Sequence, residues 1–250
     1  MRIEAAIFDL DGVISKTAIK HAIAWKILFD RFLRQYCEDN SENYIEFDIR
    51  NDYLKYVDGK PRIEGIKSFL KSRNIEVEIG DNLSLEDMTT IWGLGKIKDK
   101  VFRDSIEADG VDLYESTIQL INTFIKLEIP IAVASSSKNC RRVLSAARID
   151  HKFDQVFDGT DLDKEKLPGK PMPDLFLRAA QKLSIEPNVT VVFEDSVAGI
   201  LSAKAGKFGY MVGIDRGGNY ESLANAGSDV VVNDLDELDF DENARSLFLR

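Results

Sequence analysis

The sequence predicts an α/β protein: a Rossmann-like, doubly wound parallel sheet core carrying an inserted all-helical domain. Three observations carry this. From Gly110 onward, short and nearly all-apolar runs alternate with helical patterns, as parallel strands covered on both faces do. One apolar run, Ile3 to Phe8, stands apart from the others, ahead of a long stretch from Thr17 to Ala108 in which nothing reads as a strand. Polar residues follow the principal strand-like runs, at the carboxyl edge where open α/β sheets bind ligands. The predicted division is a core of 1–16 and 109–250 and a helical insert of 17–108.

Taken in order, Ile3 to Phe8 is a buried strand, and Asp9 and Asp11 hang in the loop behind it. Gly12 permits a turn there that a Cβ would resist. Thr17 is a fair N-cap, and Ala18, Ala22, Trp25, Leu28, Phe29 and Phe32 recur at helical spacing until the pattern fades near Cys37. After a turn at Asp58-Gly59-Lys60-Pro61, a second amphipathic helix runs from Ile63 to Ser72. Asn74 to Leu83 is loop. A third helical region opens at Ser84-Leu85-Glu86-Asp87 and is interrupted by Gly93 and Gly95; a fourth spans Ile97 to Ile106.

The core pattern then resumes with a helix from Ser116 to Leu127 and a strand from Ile129 to Ala134. A helix from Lys138 to Ala147 and a strand from Phe153 to Phe157 follow. Next come the helix Asp174 to Lys182, the strand Val189 to Phe193 and the helix Ser196 to Lys204, closed by Gly206. Phe208 to Ile214 and Ser228 to Val232 are two further strands, and Asp236 to Arg250 reads as a final helix.

The chain has 250 residues, enough for one large domain or two smaller ones. Its net charge of −10 argues against general affinity for nucleic acid or anionic membrane. Cys37 and Cys140 fit no metal spacing and are expected as reduced thiols. No apolar stretch is long enough to span a bilayer, and the start carries no signal-peptide pattern, so a cytoplasmic protein is expected. An acidic surface and an ample core suit a monomer.

Four polar clusters sit beside the predicted core strands: Asp9/Asp11, Ser135-Ser136-Ser137-Lys138, Lys170-Pro171 and Glu194-Asp195. Each alone has a plain explanation, as a turn pair, a helix cap, a solvated charge and a second cap. In one parallel sheet they converge on one edge, and their chemistry fits together. Asp9, Asp195 and a backbone carbonyl suit Mg²⁺, which favours a few oxygen ligands together with water and phosphate. Ser135 and Lys170 can hold and neutralise a transferring phosphoryl group. Asp9 can attack phosphorus as a nucleophile, and Asp11 is placed to act as general acid and base.

In this order the clusters resemble the four motifs of the haloacid dehalogenase-like phosphotransferases, and the helical insert resembles that superfamily's small cap domain. The resemblance implies Mg²⁺-dependent phosphoryl transfer with Asp9 as nucleophile and Asp11 as acid/base. It implies metal ligation by Asp9, the Asp11 carbonyl and Asp195, with Glu194 supporting. Phe8 to Ile14 with Thr17, His21 and Trp25 is similar to the β-phosphoglucomutase-like subgroup. So are Ser135 to Asn139, Gly169 to Asp174, and Glu194-Asp195-Ser196 with Ala198-Gly199-Ile200.

By that likeness His21 helps align Asp11. Arg62, Ser137, Lys138 and Asn139 surround the second phosphate of a bisphosphate, and Lys98, with Lys96 as a near competitor, meets the sugar. Lys16, Asp99 and the segment Asn40 to Lys60 depart from the pattern, all in or beside the cap, which leaves sugar specificity open.

Two activities follow from the resemblance. A mutase would convert β-D-glucose 1-phosphate to glucose 6-phosphate, with cap closure excluding water. A phosphatase would use the same core to hydrolyse a sugar phosphate or related monoester. A catalytically silent sugar-phosphate sensor ranks last, because every catalytic position is filled.

Overall fold

The computed structural model describes residues 2–250. In chain order the elements begin with β1 (Ala5–Phe8), α1 (Thr17–Asn40), a π-helical segment (Ile49–Val57), α2 (Arg62–Ser72) and α3 (Ile91–Asp109). They continue with α4 (Glu115–Lys126), β2 (Ile131–Ala134), α5 (Cys140–Ala146), β3 (Gln155–Phe157), α6 (Gly159–Glu165) and α7 (Asp174–Leu183). The remaining strands and α-helices are β4 (Thr190–Glu194), α8 (Val197–Ala205), β5 (Tyr210–Ile214), α9 (Tyr220–Ala226), β6 (Val230–Val232), β7 (Leu238–Asp241) and β8 (Ser246–Leu249). The chain divides into two compact units: the segment ending at Thr17 together with Val111–Arg250, and Ala18–Gly110. No helix among the described residues is long and apolar enough to cross a membrane.

The first unit is built on a parallel sheet in the order β3-β2-β1-β4-β5-β6. The chain winds out to β3, then returns to the far side of β1 for β4, so the order switches beside β1. That is where doubly wound sheets open a crevice at their carboxyl ends. Phe8 stands opposite Val133 of β2 and Phe193 of β4, which brings Asp9 level with the ends of both neighbours.

Alternating side chains divide between the two faces. Ile7, Ala132, Ala134 and Val192 belong to a cluster with Phe176 of α7, Ile200 of α8 and Leu223 of α9. On the other face Phe8 stacks on Phe193 at 4.4 Å between centroids, and Phe124 of α4 lies 6.2 Å from Phe8. Burying each such ring contributes about 1.5–3 kcal/mol.

The second unit is helical and has its own core. Phe29 of α1 lies 5.3 Å from Trp25, 5.0 Å from Phe47 and 4.2 Å from Phe69 of α2. Leu28, Ile66, Leu94 and Ile97 complete the cluster.

Four sequence expectations are corrected. Thr17 does not cap α1 from outside: it is the helix's first residue, and its hydroxyl turns to Asp11. No helix opens at Ser84; residues 84–90 are bends and a bridge, and Thr90 caps α3 through Gly93 N–H at 2.9 Å. Nor do Gly93 and Gly95 interrupt anything, since both lie inside the continuous α3. A Cβ on Gly93 would sit 2.5 Å from the Asp87 carbonyl, and one on Gly95 3.2 Å from Ile63 Cδ1, so these glycines admit close neighbours.

The predicted C-terminal helix is instead the antiparallel pair β7–β8. Leu238 and Phe240 alternate with aspartates, Phe240 meets Phe124 edge-on at 5.1 Å, and Asp241 Oδ1 accepts the N–H groups of Asn243 and Ala244 in the turn.

Candidate active site

Asp9 is placed by the ladder itself. Its N–H donates to the Phe193 carbonyl at 2.9 Å, so pairing with β4 runs one residue past Phe8. Glu194 ends β4 on the same edge. Lys170, from the loop before α7, joins them: its Nζ donates to Asp9 Oδ1 at 2.7 Å and Glu194 Oε2 at 2.9 Å. All three side chains are buried. The Lys170 ammonium also lies 4.9 Å from the centre of the Phe176 ring.

Burial pushes the Asp9 carboxyl well above the ordinary range; Lys170 pulls against this, while Glu194 and Asp11 add to it. Burial alone would lower Lys170, but Asp9 and Glu194 outweigh it, so the ammonium holds its proton more tightly than usual.

One oxygen each of Asp9, Glu194 and Asp195 lie within 4.8 Å of one another. Three carboxylates against one ammonium leave an excess of negative charge and a set of hard oxygen donors, which fits Mg²⁺. The backbone makes room for them. Gly12 has φ +89°, and a Cβ there would fall 1.7 Å from Asp195 Oδ2; one on Gly199 would fall 2.0 Å from Glu194 Cδ. Ser196 fixes Glu194 from the other side: it donates its backbone N–H to Oε1 at 3.2 Å and its hydroxyl to the same atom. Its Oγ accepts the Gly199 N–H at 3.1 Å as the cap of α8.

Asp11 lies two residues past Asp9, half-buried, with its Oδ1 accepting the Thr17 hydroxyl. Thr17 is fully buried, and its Oγ1 also shares a hydrogen bond with Ser15 Oγ. The loop between them closes on itself: Gly12 N–H reaches the Ser15 carbonyl at 2.8 Å, and the N–H groups of Ile14 and Ser15 reach the Leu10 carbonyl at 2.9 Å.

Ser135 follows β2 and donates its N–H to the Phe157 carbonyl at 3.1 Å. Its Oγ accepts from Ser137 N–H at 3.1 Å, and Ser137 Oγ accepts from Asn139 N–H at 3.2 Å. Lys138 pairs with Asp163 of α6.

Within the helical unit, Lys98 Nζ is hydrogen-bonded to His21 Nδ1. The His21 ring stacks on Phe102 at 3.8 Å, and Lys98 lies 5.1 Å from the Trp25 ring centre. His21, Trp25 and Lys98 therefore form one group. Arg62 is held separately, by Asp99 Oδ1 at 2.6 Å and the Gly95 carbonyl at 3.1 Å. Lys96 is tied to the carbonyls of Asn82 and Ser84 at 2.9 and 2.5 Å.

Two residues outside the four motifs stand beside the cluster. Arg216 Nε donates to the Gly12 carbonyl at 3.0 Å, and Asn219 Nδ2 to the Asp195 carbonyl at 3.4 Å. The signal was available, because both follow β5 at the edge that bears the other polar clusters.

A buried carboxylate–lysine cluster thus stands at the switch point of a doubly wound parallel sheet, where such folds bind their ligands. Residues 3–207 match the family of haloacid dehalogenase-like hydrolases, and the chain belongs to that family. The likeness to its β-phosphoglucomutase-like subgroup is borne out. β-Phosphoglucomutase of Mycobacterium bovis is 39% identical over 240 residues, covering 95% of this chain and 92% of that protein. The crystal structure of β-phosphoglucomutase from Clostridium difficile superposes with a TM-score of 0.74 at 28% identity, covering 95% of this chain and 94% of that one. Trehalose-phosphate phosphatase of Mycobacterium leprae is 32% identical over 128 residues, 50% of this chain and 28% of that protein. The chain is thus an enzyme of the phosphotransferase and phosphatase class in this family.

Proposed function

We propose that the chain is a β-phosphoglucomutase, converting β-D-glucose 1-phosphate to glucose 6-phosphate through a bisphosphate intermediate. The observation that carries this is a second cationic set. The helical unit holds Lys98 against His21 and Trp25, with Arg62 on Asp99, in addition to the complete carboxylate–lysine cluster of the core. A mutase must grip a second, non-reacting phosphate, and a phosphatase need not. The 39% identity to a β-phosphoglucomutase over nearly the whole chain supports the same reading.

In this mechanism a carboxylate oxygen of Asp9 attacks the phosphorus of one phosphate of the bisphosphate. The bond from phosphorus to the sugar oxygen breaks, and the carboxylic acid of Asp11 gives its proton to that oxygen. In the reverse sense, the Asp11 carboxylate takes the proton of a sugar hydroxyl. The hydroxyl oxygen then attacks the aspartyl-phosphate and the bond to Asp9 breaks. Thr17 orients Asp11 through its hydroxyl.

Lys170 neutralises Asp9 and the phosphoryl oxygens, and Ser135 donates to them. Within the core, Ser137, Lys138 and Asn139 serve the second phosphate, where charge-assisted donors are strongest. Asp9, Asp195 and the Asp11 carbonyl would hold Mg²⁺, with Glu194 supporting, and the ion supplies charge neutralisation at the transferring group.

The second reading is a sugar-phosphate phosphatase, in which water replaces the sugar hydroxyl in the second step. It is favoured by the identity to trehalose-phosphate phosphatase over half the chain. Purified protein with Mg²⁺, β-glucose 1-phosphate and a trace of glucose 1,6-bisphosphate is expected to form glucose 6-phosphate. Free phosphate without glucose 6-phosphate would reject the mutase and support the phosphatase.

A further inference from the structure

Arg216, two residues beyond β5, is held through Nε and Nη1, while its Nη2 is buried without a hydrogen-bond partner. Nε donates to the Gly12 carbonyl at 3.0 Å, and Nη1 to the Asn233 carbonyl and the Asp234 carboxylate, each at 2.7 Å. The guanidinium carbon lies 3.6 Å from the centre of the Tyr114 ring. Asp215 anchors the loop from which it projects, accepting the N–H groups of Gly218 and Asn219 at 2.6 and 2.8 Å. A planar group with donors in a fixed fork can meet these partners together, and a lysine cannot.

We propose that Arg216 is a positioning residue for phosphoryl transfer, setting the Gly12 turn and through it the places of Asp11 and Asp195. The proposal rests on the reading of Asp9 and Asp11 as the reacting carboxylates. Gly12 stands at φ +89°, its N–H bound to Ser15 and its carbonyl to Arg216, so both ends of the residue are pinned. Asp195 lies so close to its Cα that a Cβ would overlap the carboxylate; rotating the Gly12 backbone therefore moves atoms against Asp195.

Tyr114, on which the guanidinium stacks, donates its own N–H to the Ile14 carbonyl at 3.0 Å. The loop is thus clamped at Gly12 by Arg216 and at Ile14 by the residue beneath Arg216. The bond from Arg216 therefore ends on the residue that follows Asp11 and abuts Asp195.

The test uses the full chain with Arg216→Ala and Arg216→Lys, read by steady-state kinetics and by amide hydrogen exchange of metal-free protein. For Arg216→Ala, kcat is expected to fall about tenfold or more with KM within about twofold, because alignment rather than binding is lost. Added guanidinium ion should restore part of the turnover. Exchange should rise in the peptide covering residues 9–16 and stay unchanged in β2 and β3. Arg216→Lys keeps the charge without the fork and should remain about fivefold or more below wild type.

A folded Arg216→Ala protein with kcat within twofold of wild type, or with unchanged exchange over residues 9–16, overturns the proposal. Should Arg216→Ala fail to fold, Arg216→Lys decides it by the same two readings. If wild-type protein turns over no sugar phosphate, the functional reading fails, while the exchange measurement still judges the clamp.

Discussion

Gly12→Ala is the substitution that asks most of the site. An alanine Cβ would lie 1.7 Å from Asp195 Oδ2 and 2.5 Å from its Cγ. The Asp195 carboxylate would have to retreat by roughly 2 Å to reach van der Waals contact. The loop cannot yield in its place without breaking the bonds of Gly12 to Ser15 and Arg216. An L-residue at φ +89° also carries strain of about 1–2 kcal/mol. That strain lowers the unfolding midpoint by about 2–8 °C in a chain of this size and leaves the protein folded.

Function should suffer far more, since misplacing a reacting or ligating group by about 1 Å costs about 100-fold. The assay pairs calorimetric unfolding with turnover measured across a Mg²⁺ titration. The expected result is a midpoint a few degrees lower and a loss of about 100-fold in kcat that saturating Mg²⁺ does not restore. Activity within threefold of wild type would refute the close approach of Gly12 and Asp195 as the reason for the glycine.

Three further outcomes follow from the same contacts. Lys170→Met leaves Asp9 and Glu194 buried together without their ammonium; turnover should vanish, and stability should fall by about 3–5 kcal/mol in denaturant unfolding. Thr17→Val removes the hydroxyl that Asp11 accepts and should lower kcat about 10- to 100-fold with native circular dichroism; unchanged kcat would mean that Asp11 needs no such support. Lys98→Ala should weaken kcat/KM for the sugar phosphate about tenfold or more, while Lys96→Ala, which loses only bonds to loop carbonyls, should change it by less than about twofold; the reverse ranking would exchange their roles.

The acidic cluster was legible because a parallel sheet makes its own geometry from chain order. Lys170 is 161 residues from Asp9, yet a loop entering α7 beside the strand carboxyl ends suffices to expect them together. The same rule reached Ser135 and Glu194. Beyond β5 the signal is weaker, because Asp215-Arg216-Gly217-Gly218-Asn219 reads locally as a glycine-rich turn and hides Arg216. The short helix α6 escaped for a related reason. Its seven residues owe their place to Asp158, which caps it and pairs with Arg141 at 2.6 Å, rather than to any apolar periodicity.

Glycine shows where local reading stops. Gly12 was read as a turn and is one, with a positive φ. Gly93 and Gly95 read as breaks in the sequence, yet α3 runs through both, because they accommodate the Asp87 carbonyl and the Ile63 side chain. A helix interior tolerates a glycine at about 1 kcal/mol, and close packing can offset that cost. Gly199 is the same device inside the site: its missing Cβ lets Glu194 lie against α8, within reach of both Lys170 and Ser196. What such a glycine does depends on which side chain arrives from elsewhere in the chain. The motif spelled by Glu194, Asp195 and Ser196 therefore names the chemistry, while the backbone position that makes room for it lies several residues away.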